Sequence, residues 1–281
     1  MHIAPVSRAG LRRRFLDRPL ALLPSRAMQI AELLQNDNDG WQSAAFDTML
    51  EREESKPYDV IDGIAVIPIK GILVHEISFW GWFCGDETDY ASIGAAMIAA
   101  VKDHAVKAIV MHVNSPGGEV NGCFDLADGI YGLRGAKPIW AIVDENAFSA
   151  AYALASAADR IVVPRTGGTG SIGVITMHVD ITGALEKIGV KVTTIQFGAR
   201  KSDSYPTTPL SNEARARLQA EANALGEMFV GIVARNRTLS AERIRATEAG
   251  CFLGADGVDI GLADAVMAPD AAFLALADSL R

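Results

Sequence analysis

The sequence predicts an α/β protein built on a mainly parallel sheet, and three observations carry that reading. Short apolar runs rich in β-branched residues recur along the chain. Segments with helical spacing of apolar residues stand between them, and glycine, asparagine and serine gather at the junctions. That alternation belongs to βαβ units, in which each helix returns the chain to start a parallel strand.

Residues 1–60 read as an N-terminal extension, an arm that is partly helical. Short helices are expected near 25–35 and 41–54, either side of the polar turn Asn36-Asp37-Asn38-Asp39-Gly40. Lys56-Pro57 then breaks helical continuation, because proline has no N–H and restricts the residue before it. Residues 61–281 read as the main domain. Gly63–Ile69 is the first strand, and Gly71–Val74 continues it or pairs with it. Thr88 caps a helix running to about Lys102. Val106–Val113 is a strand, Glu119–Leu133 a helix, Pro138–Val143 a strand, Ser149–Ala158 a helix and Arg160–Val163 a strand. Ser171–Thr176 and Val190–Gln196 supply two more strands around a helix near Ile181–Ile188. A long helix over 211–235 opens with Ser211-Asn212-Glu213, and helices near 240–247 and 269–280 follow.

Composition narrows the function classes. The 281 residues are 49% hydrophobic and 21% charged, which suits a sizeable buried core. A net charge of −8 sets most of the surface against nucleic acid and anionic lipid, so neither is expected as a partner. No run approaches the ~20 apolar residues that span a bilayer, so no membrane span is expected. Cys84, Cys123 and Cys251 match no zinc spacing and fit a reducing, cytoplasmic compartment; no metal or other cofactor is expected. Residues 1–34 hold six arginines and two acids, a local +4 that leaves about −12 for the rest. The apolar stretch in that arm, Pro19-Leu20-Ala21-Leu22-Leu23-Pro24, is too short for an export signal and is closed by prolines. A partner-binding or solvated arm is the better reading.

Ligand sites in open α/β sheets collect where strands end, and three such places carry chemistry. Asn114-Ser115-Pro116-Gly117-Gly118 has consecutive glycines that let backbone N–H groups face a ligand oxygen beside a helix start; it also reads as a plain strand-to-helix turn. Ser149, within Asp144-Glu145-Asn146-Ala147-Phe148-Ser149-Ala150-Ala151, reads as a helix N-cap. The other reading, behind the cap on this motif alone, is a nucleophile served by an oxyanion hole of the Gly118 and Ala150 N–H groups. Lys201, in Phe197-Gly198-Ala199-Arg200-Lys201-Ser202-Asp203, is a solvated loop lysine or, if desolvated and neutral, a base for a serine hydroxyl.

Taken in order, these segments resemble the signal peptide peptidase A-like serine peptidases of family S49, which share the ClpP/crotonase fold. The markers are Asn114–Gly118, Ala147-Phe148-Ser149-Ala150-Ala151-Tyr152, Thr169-Gly170-Ser171-Ile172-Gly173-Val174-Ile175, Gly198–Asp203 and Gly261-Leu262-Ala263-Asp264. The resemblance covers most of residues 61–266. It implies a spiral of βαβ units and a Ser–Lys dyad, with Ser149 as nucleophile, Lys201 as general base, and Gly118 and Ala150 as backbone oxyanion donors. Gly117, Ser171 and Gly173 become positions for binding or orienting an extended peptide. Ala150-Ala151 stands where the membrane-anchored members have two glycines. That departure, with the opening Phe15–Pro24, is similar to the phage and prophage branch of head maturation proteases, also termed minor capsid protein C. The resemblance then implies scaffold or capsid proteins as substrates, a homo-oligomer, and action in the host cytoplasm or procapsid interior. Some members carry a long C-terminal scaffold extension, and none is expected in a chain that closes at Arg281.

Four alternatives stand beside this reading. His178, with Asp180 nearby, could replace Lys201 as base, as in the Ser-His-Asp triad of ClpP. An acyl-CoA enzyme of the crotonase type would use Glu119 and Glu145. A non-catalytic assembly scaffold would use the protease core for contacts alone, and a bacterial signal-peptide-peptidase-like protease would keep the chemistry but change the substrate.

Overall fold

The computed structural model describes residues 56–77 and 87–281, together with the backbone of residues 20–22. The helices expected near 25–35 and 41–54 lie outside these residues. A sheet with the order β10(Ala265–Val266)-β7(Arg160–Val163)-β6(Ile139–Phe148)-β5(Ala108–Glu119)-β3(Ile64–Val74)-β2(Asp59–Ile61) organises the molecule. From β10 to β3 every neighbouring pair is parallel, and β2 returns antiparallel on β3. β4(Glu87–Asp89) extends the end of β3 in parallel, and β8(Gly168–Gly170) does the same for the end of β6. β9(Cys251–Leu253) pairs antiparallel with β8, and β1(Leu20–Leu22) antiparallel with β5.

Both faces of the sheet are covered, as parallel sheets require. Ile109, Met111 and Val113 of β5 point into the larger core beneath α1(Tyr90–Lys102), α2(Cys123–Gly132), α3(Ala150–Ser156) and the long α5(Asn212–Arg237). Ala108 and Val110, one residue out of phase, meet Ile64, Ile142 and Val162 on the other face, where Ala272 and Leu276 of α8(Pro269–Ser279) cover them. α4(Thr182–Lys187), α6(Ala241–Arg245) and α7(Gly254–Asp259) complete the described helices.

Local signals set most boundaries. Ser211 caps α5, its hydroxyl accepting the Ala214 N–H at 3.1 Å, and Thr238 ends it in the left-handed region. The cap of α1 is Asp89 rather than Thr88: its carboxylate accepts the Ser92 N–H at 2.8 Å, while the Thr88 hydroxyl donates to the Lys70 carbonyl.

Five further expectations are corrected. Asn114–Gly118 is not a loop. β5 runs through it to Glu119, bent by register shifts against β6 between Val113 and Ser115 and against β3 between Lys70 and Ile72. The helix expected from Glu119 begins at Cys123, so no helix start abuts the two glycines. β6 likewise continues through Asp144 to Phe148. The strand expected over Ser171–Thr176 stops at Gly170, and Val190–Gln196 forms none; its side chains stand exposed with no partner strand.

Candidate active site

Ser149 stands at the junction of β6 and α3. Its backbone is held at φ 52°, ψ −122°, a left-handed conformation that costs a non-glycine residue on the order of 1–3 kcal/mol. Its neighbours enforce the turn. The Ser149 N–H donates to the Gly170 carbonyl at 2.8 Å, and its carbonyl accepts the Ala153 N–H at 2.9 Å. Beside it, Phe148 packs so closely on Gly168 that a Cβ there would lie 2.3 Å from the ring. A sharp strand-to-helix turn of this kind presents a nucleophile at the end of a sheet. The Ser149 hydroxyl is buried and has no hydrogen-bond partner among the described residues. A buried unpaired hydroxyl costs about 1–3 kcal/mol, so the fold retains it at a penalty.

The helix behind the serine is built to stay still. Every residue of α3, Ala-Ala-Tyr-Ala-Leu-Ala-Ser, is buried. Small side chains let it sit against β5 and α2, where the Cys123 thiol lies 3.6 Å from the Ala150 carbonyl. Burial pushes that thiol up to about 12, so it stays protonated and unreactive. At the far end Arg134 donates to the Ser156, Ala157 and Ala158 carbonyls, capping the helix with positive charge. Asn236 from α5 donates to the Ser156 hydroxyl at 2.9 Å.

β5 flanks the serine. Ser115 pairs with Ala147, two residues before Ser149, which brings Gly117 and Gly118 alongside the turn. Gly118 can only be glycine, because a Cβ would lie 1.8 Å from the Leu73 carbonyl oxygen on β3. Gly117 takes φ 107°, and its N–H donates to the Ser115 hydroxyl at 3.1 Å. Ala150 is the first residue of α3, where a helix leaves backbone N–H donors unpaired. The register of β5 against β6 and the start of α3 thus set Gly118 and Ala150 on either side of a strained, buried hydroxyl. Such donors stabilise an oxyanion.

On the remaining side, Ser171 is buried at φ 54°, and its N–H donates to the Gly250 carbonyl at 2.8 Å. Gly173 is half-buried, with its N–H on the Ser171 carbonyl at 2.9 Å. The Ser171 hydroxyl touches the Cys251 thiol, whose pKa burial raises more than that contact lowers it.

The expected base is not brought to the serine within one chain. Lys201 is exposed in a turn closed by its own N–H on the Gly198 carbonyl at 3.1 Å, and the Ser149 Oγ bonds to no side chain. His178 is half-buried, with Nε2 3.2 Å from the Tyr205 carbonyl rather than on Ser149, and Asp180 is engaged with Thr182. The Glu119 carboxylate is buried and accepts the His75 N–H at 2.9 Å, whereas Glu145 is exposed. Sequence reasoning missed the left-handed backbone at Ser149 and Ser171; the only trace of either was a serine among glycines and alanines. Among the described residues, no group of three or more His, Cys, Asp and Glu is placed to hold a metal, and no helix is long and apolar enough to cross a membrane.

The profile of peptidase family S49 matches residues 133–281, a span that holds both Ser149 and Lys201. The head-tail preconnector protein GP5 of Enterobacteria phage P21 is 39% identical over 230 residues, covering 82% of this chain and 46% of that protein. The capsid assembly protease C of Escherichia phage lambda is 37% identical over 227 residues, covering 81% and 52%. A putative signal peptide peptidase SppA of Enterococcus faecium is 30% identical over 167 residues, covering 59% and 48%. The chain thus spans about half the length of these curated relatives.

Proposed function

This chain belongs to peptidase family S49, and on that premise we propose that it is a serine endopeptidase with Ser149 as nucleophile and Lys201 as general base. The observation that carries the reading is the buried, unpartnered Ser149 hydroxyl, fixed by a strained backbone beside two backbone donors. The Lys201 amine takes the hydroxyl proton as Oγ attacks the scissile carbonyl. The Gly118 and Ala150 N–H groups bind the resulting oxyanion. The carbon–nitrogen bond breaks, the lysine returns the proton to the leaving amine, and Lys201 then activates the water that hydrolyses the acyl-serine. No cofactor enters these steps.

Lys201 reaches a serine only on assembly. The run ahead of it supports this: Val190 and Val192 are about half exposed, and Ile195 and Phe197 stand fully in solvent. Apolar side chains held in water in this way mark a contact surface. A homo-oligomer in which residues 190–203 pack against another copy would bury them and carry the lysine into a dry site.

The substrates proposed are scaffold or capsid proteins processed during phage head maturation, in the host cytoplasm or inside the procapsid. The capsid-assembly and preconnector functions named for the two phage relatives support this assignment. The test is co-expression with the capsid and scaffold proteins encoded alongside. Processing should occur with the wild-type chain and disappear with Ser149→Ala and with Lys201→Ala. Processing that continues unchanged with Ser149→Ala overturns the reading.

A further inference from the structure

The flank of β5 beside Ser149 is occupied by the chain's own arm. β6 accompanies β5 as far as the Ser115–Ala147 pair and then leaves the sheet at the Ser149 turn. Gly117 and Gly118 keep β3 on one flank, opposite Ile72 and Leu73. On the flank that β6 vacates, β1 lies antiparallel, with Leu22 opposite Gly117, Ala21 opposite Gly118 and Leu20 opposite Glu119. A short strand of this chain thus runs along the residue that offers the oxyanion N–H, in line with the end of β6.

An open strand edge accepts any extended peptide through main-chain hydrogen bonds. The arm's sequence limits what it can add there. Pro19 and Pro24 bracket Leu20-Ala21-Leu22-Leu23 and cannot donate to a ladder, so the seated strand is confined to the residues between them. The seat has a fixed shape, since Gly118 cannot move away from the Leu73 backbone and Gly117 holds a left-handed conformation. Further along the same chain, Lys56 and Tyr58 are fastened to Asp103 at 2.6 and 3.2 Å.

We propose that Leu20–Leu22 is an intramolecular occupant of the peptide-binding edge, seated where a substrate strand must lie and competing with it. This rests on Ser149 being the nucleophile of a peptidase. A segment tethered in the same chain acts at an effective concentration on the order of mM, so even a weak occupant excludes dilute substrate. Peptide enters when the arm leaves, and whatever draws the arm away switches the enzyme on.

The test uses the full chain. Alternate residues of an antiparallel strand make the ladder bonds, so of the variants Ala21→Pro and Leu20→Pro/Leu22→Pro at least one removes them. The probe is a fluorescein-labelled peptide of residues 17–24, titrated by anisotropy into Ser149→Ala chains with and without the prolines. The proline changes should tighten binding roughly tenfold; with Ser149 intact, they should lower KM for a fluorogenic peptide by a similar factor and leave kcat nearly unchanged. Unchanged affinity and unchanged KM in both variants overturn the proposal, even if the chain hydrolyses peptides. Tighter binding in a chain that hydrolyses nothing supports the seated arm and refutes the peptidase reading instead.

Discussion

The Tyr152 hydroxyl donates to the Leu262 carbonyl at 2.8 Å, across 110 residues of sequence. Tyr152 lies in the helix that Ser149 opens, and Leu262 lies in the Gly261–Asp264 segment, so this bond gives the segment its purpose. Asp264 extends the clasp: its carboxylate accepts the Ile161 N–H at 2.7 Å and receives Arg237 from α5 at 2.6 Å. The ring of Tyr152 is fully buried, which pushes its phenol pKa up and keeps it a donor. Tyr152→Phe keeps the ring and strands the carbonyl. The expected cost is about 1–3 kcal/mol, read as a lower urea midpoint with unchanged slope. An unchanged midpoint would show that the bond contributes nothing net.

Ser149→Ala should do two opposite things. Hydrolysis should fall by about 10³-fold or more, as for other serine nucleophiles. Stability should rise, because the change removes a buried hydroxyl that bonds to nothing. Ser149→Gly should be at least as stable, since glycine tolerates φ 52°. A rise in Tm of a few degrees is expected for relief of about 1 kcal/mol, measured by calorimetry. A fall in Tm for both variants would mean that the hydroxyl has a partner after all.

Gly118 and Gly129 make a matched pair. A methyl at Gly118 collides with backbone on β3, whereas one at Gly129 on α2 meets nothing within 4 Å. Gly118→Ala should therefore shift the oxyanion donor and lower kcat by about 10²-fold, the order seen when one oxyanion donor is lost. Gly129→Ala should leave activity alone and stabilise the helix by about 0.5–1 kcal/mol. Equal activity in the two variants would remove Gly118 from the site.

The strand cores were legible because their apolar runs are short and β-branched. The bounds of α5 came within two residues, because Ser211 caps locally. What escaped depends on partners distant in sequence. Asn114–Gly118 looks like a breaker, yet it is extended because β3 and β1 pair with it. Val190–Gln196 has the composition of a strand but pairs with no strand among the described residues. Ser149 was found as a candidate, but its backbone strain is set by Gly170 and Phe148, which no local pattern reveals.

Asp103 gives a pH prediction. The Lys56 ammonium, first, with the Ala105 N–H and the Tyr58 hydroxyl, holds its pKa at about 2. A depressed carboxylate stabilises the fold above its unfolded pKa of ~3.9, and that contribution is lost as pH falls toward 2. Asp103→Asn should therefore be less stable than wild type at pH 7, and the difference should shrink between about pH 4 and 2. Urea midpoints across that range check it. A difference that persists at pH 2 would assign the effect to packing rather than charge.

The proposed assembly through the exposed run before Lys201 predicts that activity depends on protein concentration. Ile195 and Phe197 are fully exposed in a single chain, and the Ser149 hydroxyl in the same chain lacks a base. In the proposed homo-oligomer another copy would meet both, covering the run and fixing the lysine. Specific activity should then rise with protein concentration as the oligomer forms. Ile195→Asp/Phe197→Asp should shift the chain to monomer in light scattering and lower activity by about 10²-fold or more, with little change in the folding of the monomer, since neither side chain is packed within it. The loss should be partly reversed at high protein concentration, because aspartates weaken a contact surface without removing the catalytic groups. A monomeric wild-type chain with full activity at nanomolar concentration would break the link, and would require residues 190–203 to fold back onto their own serine.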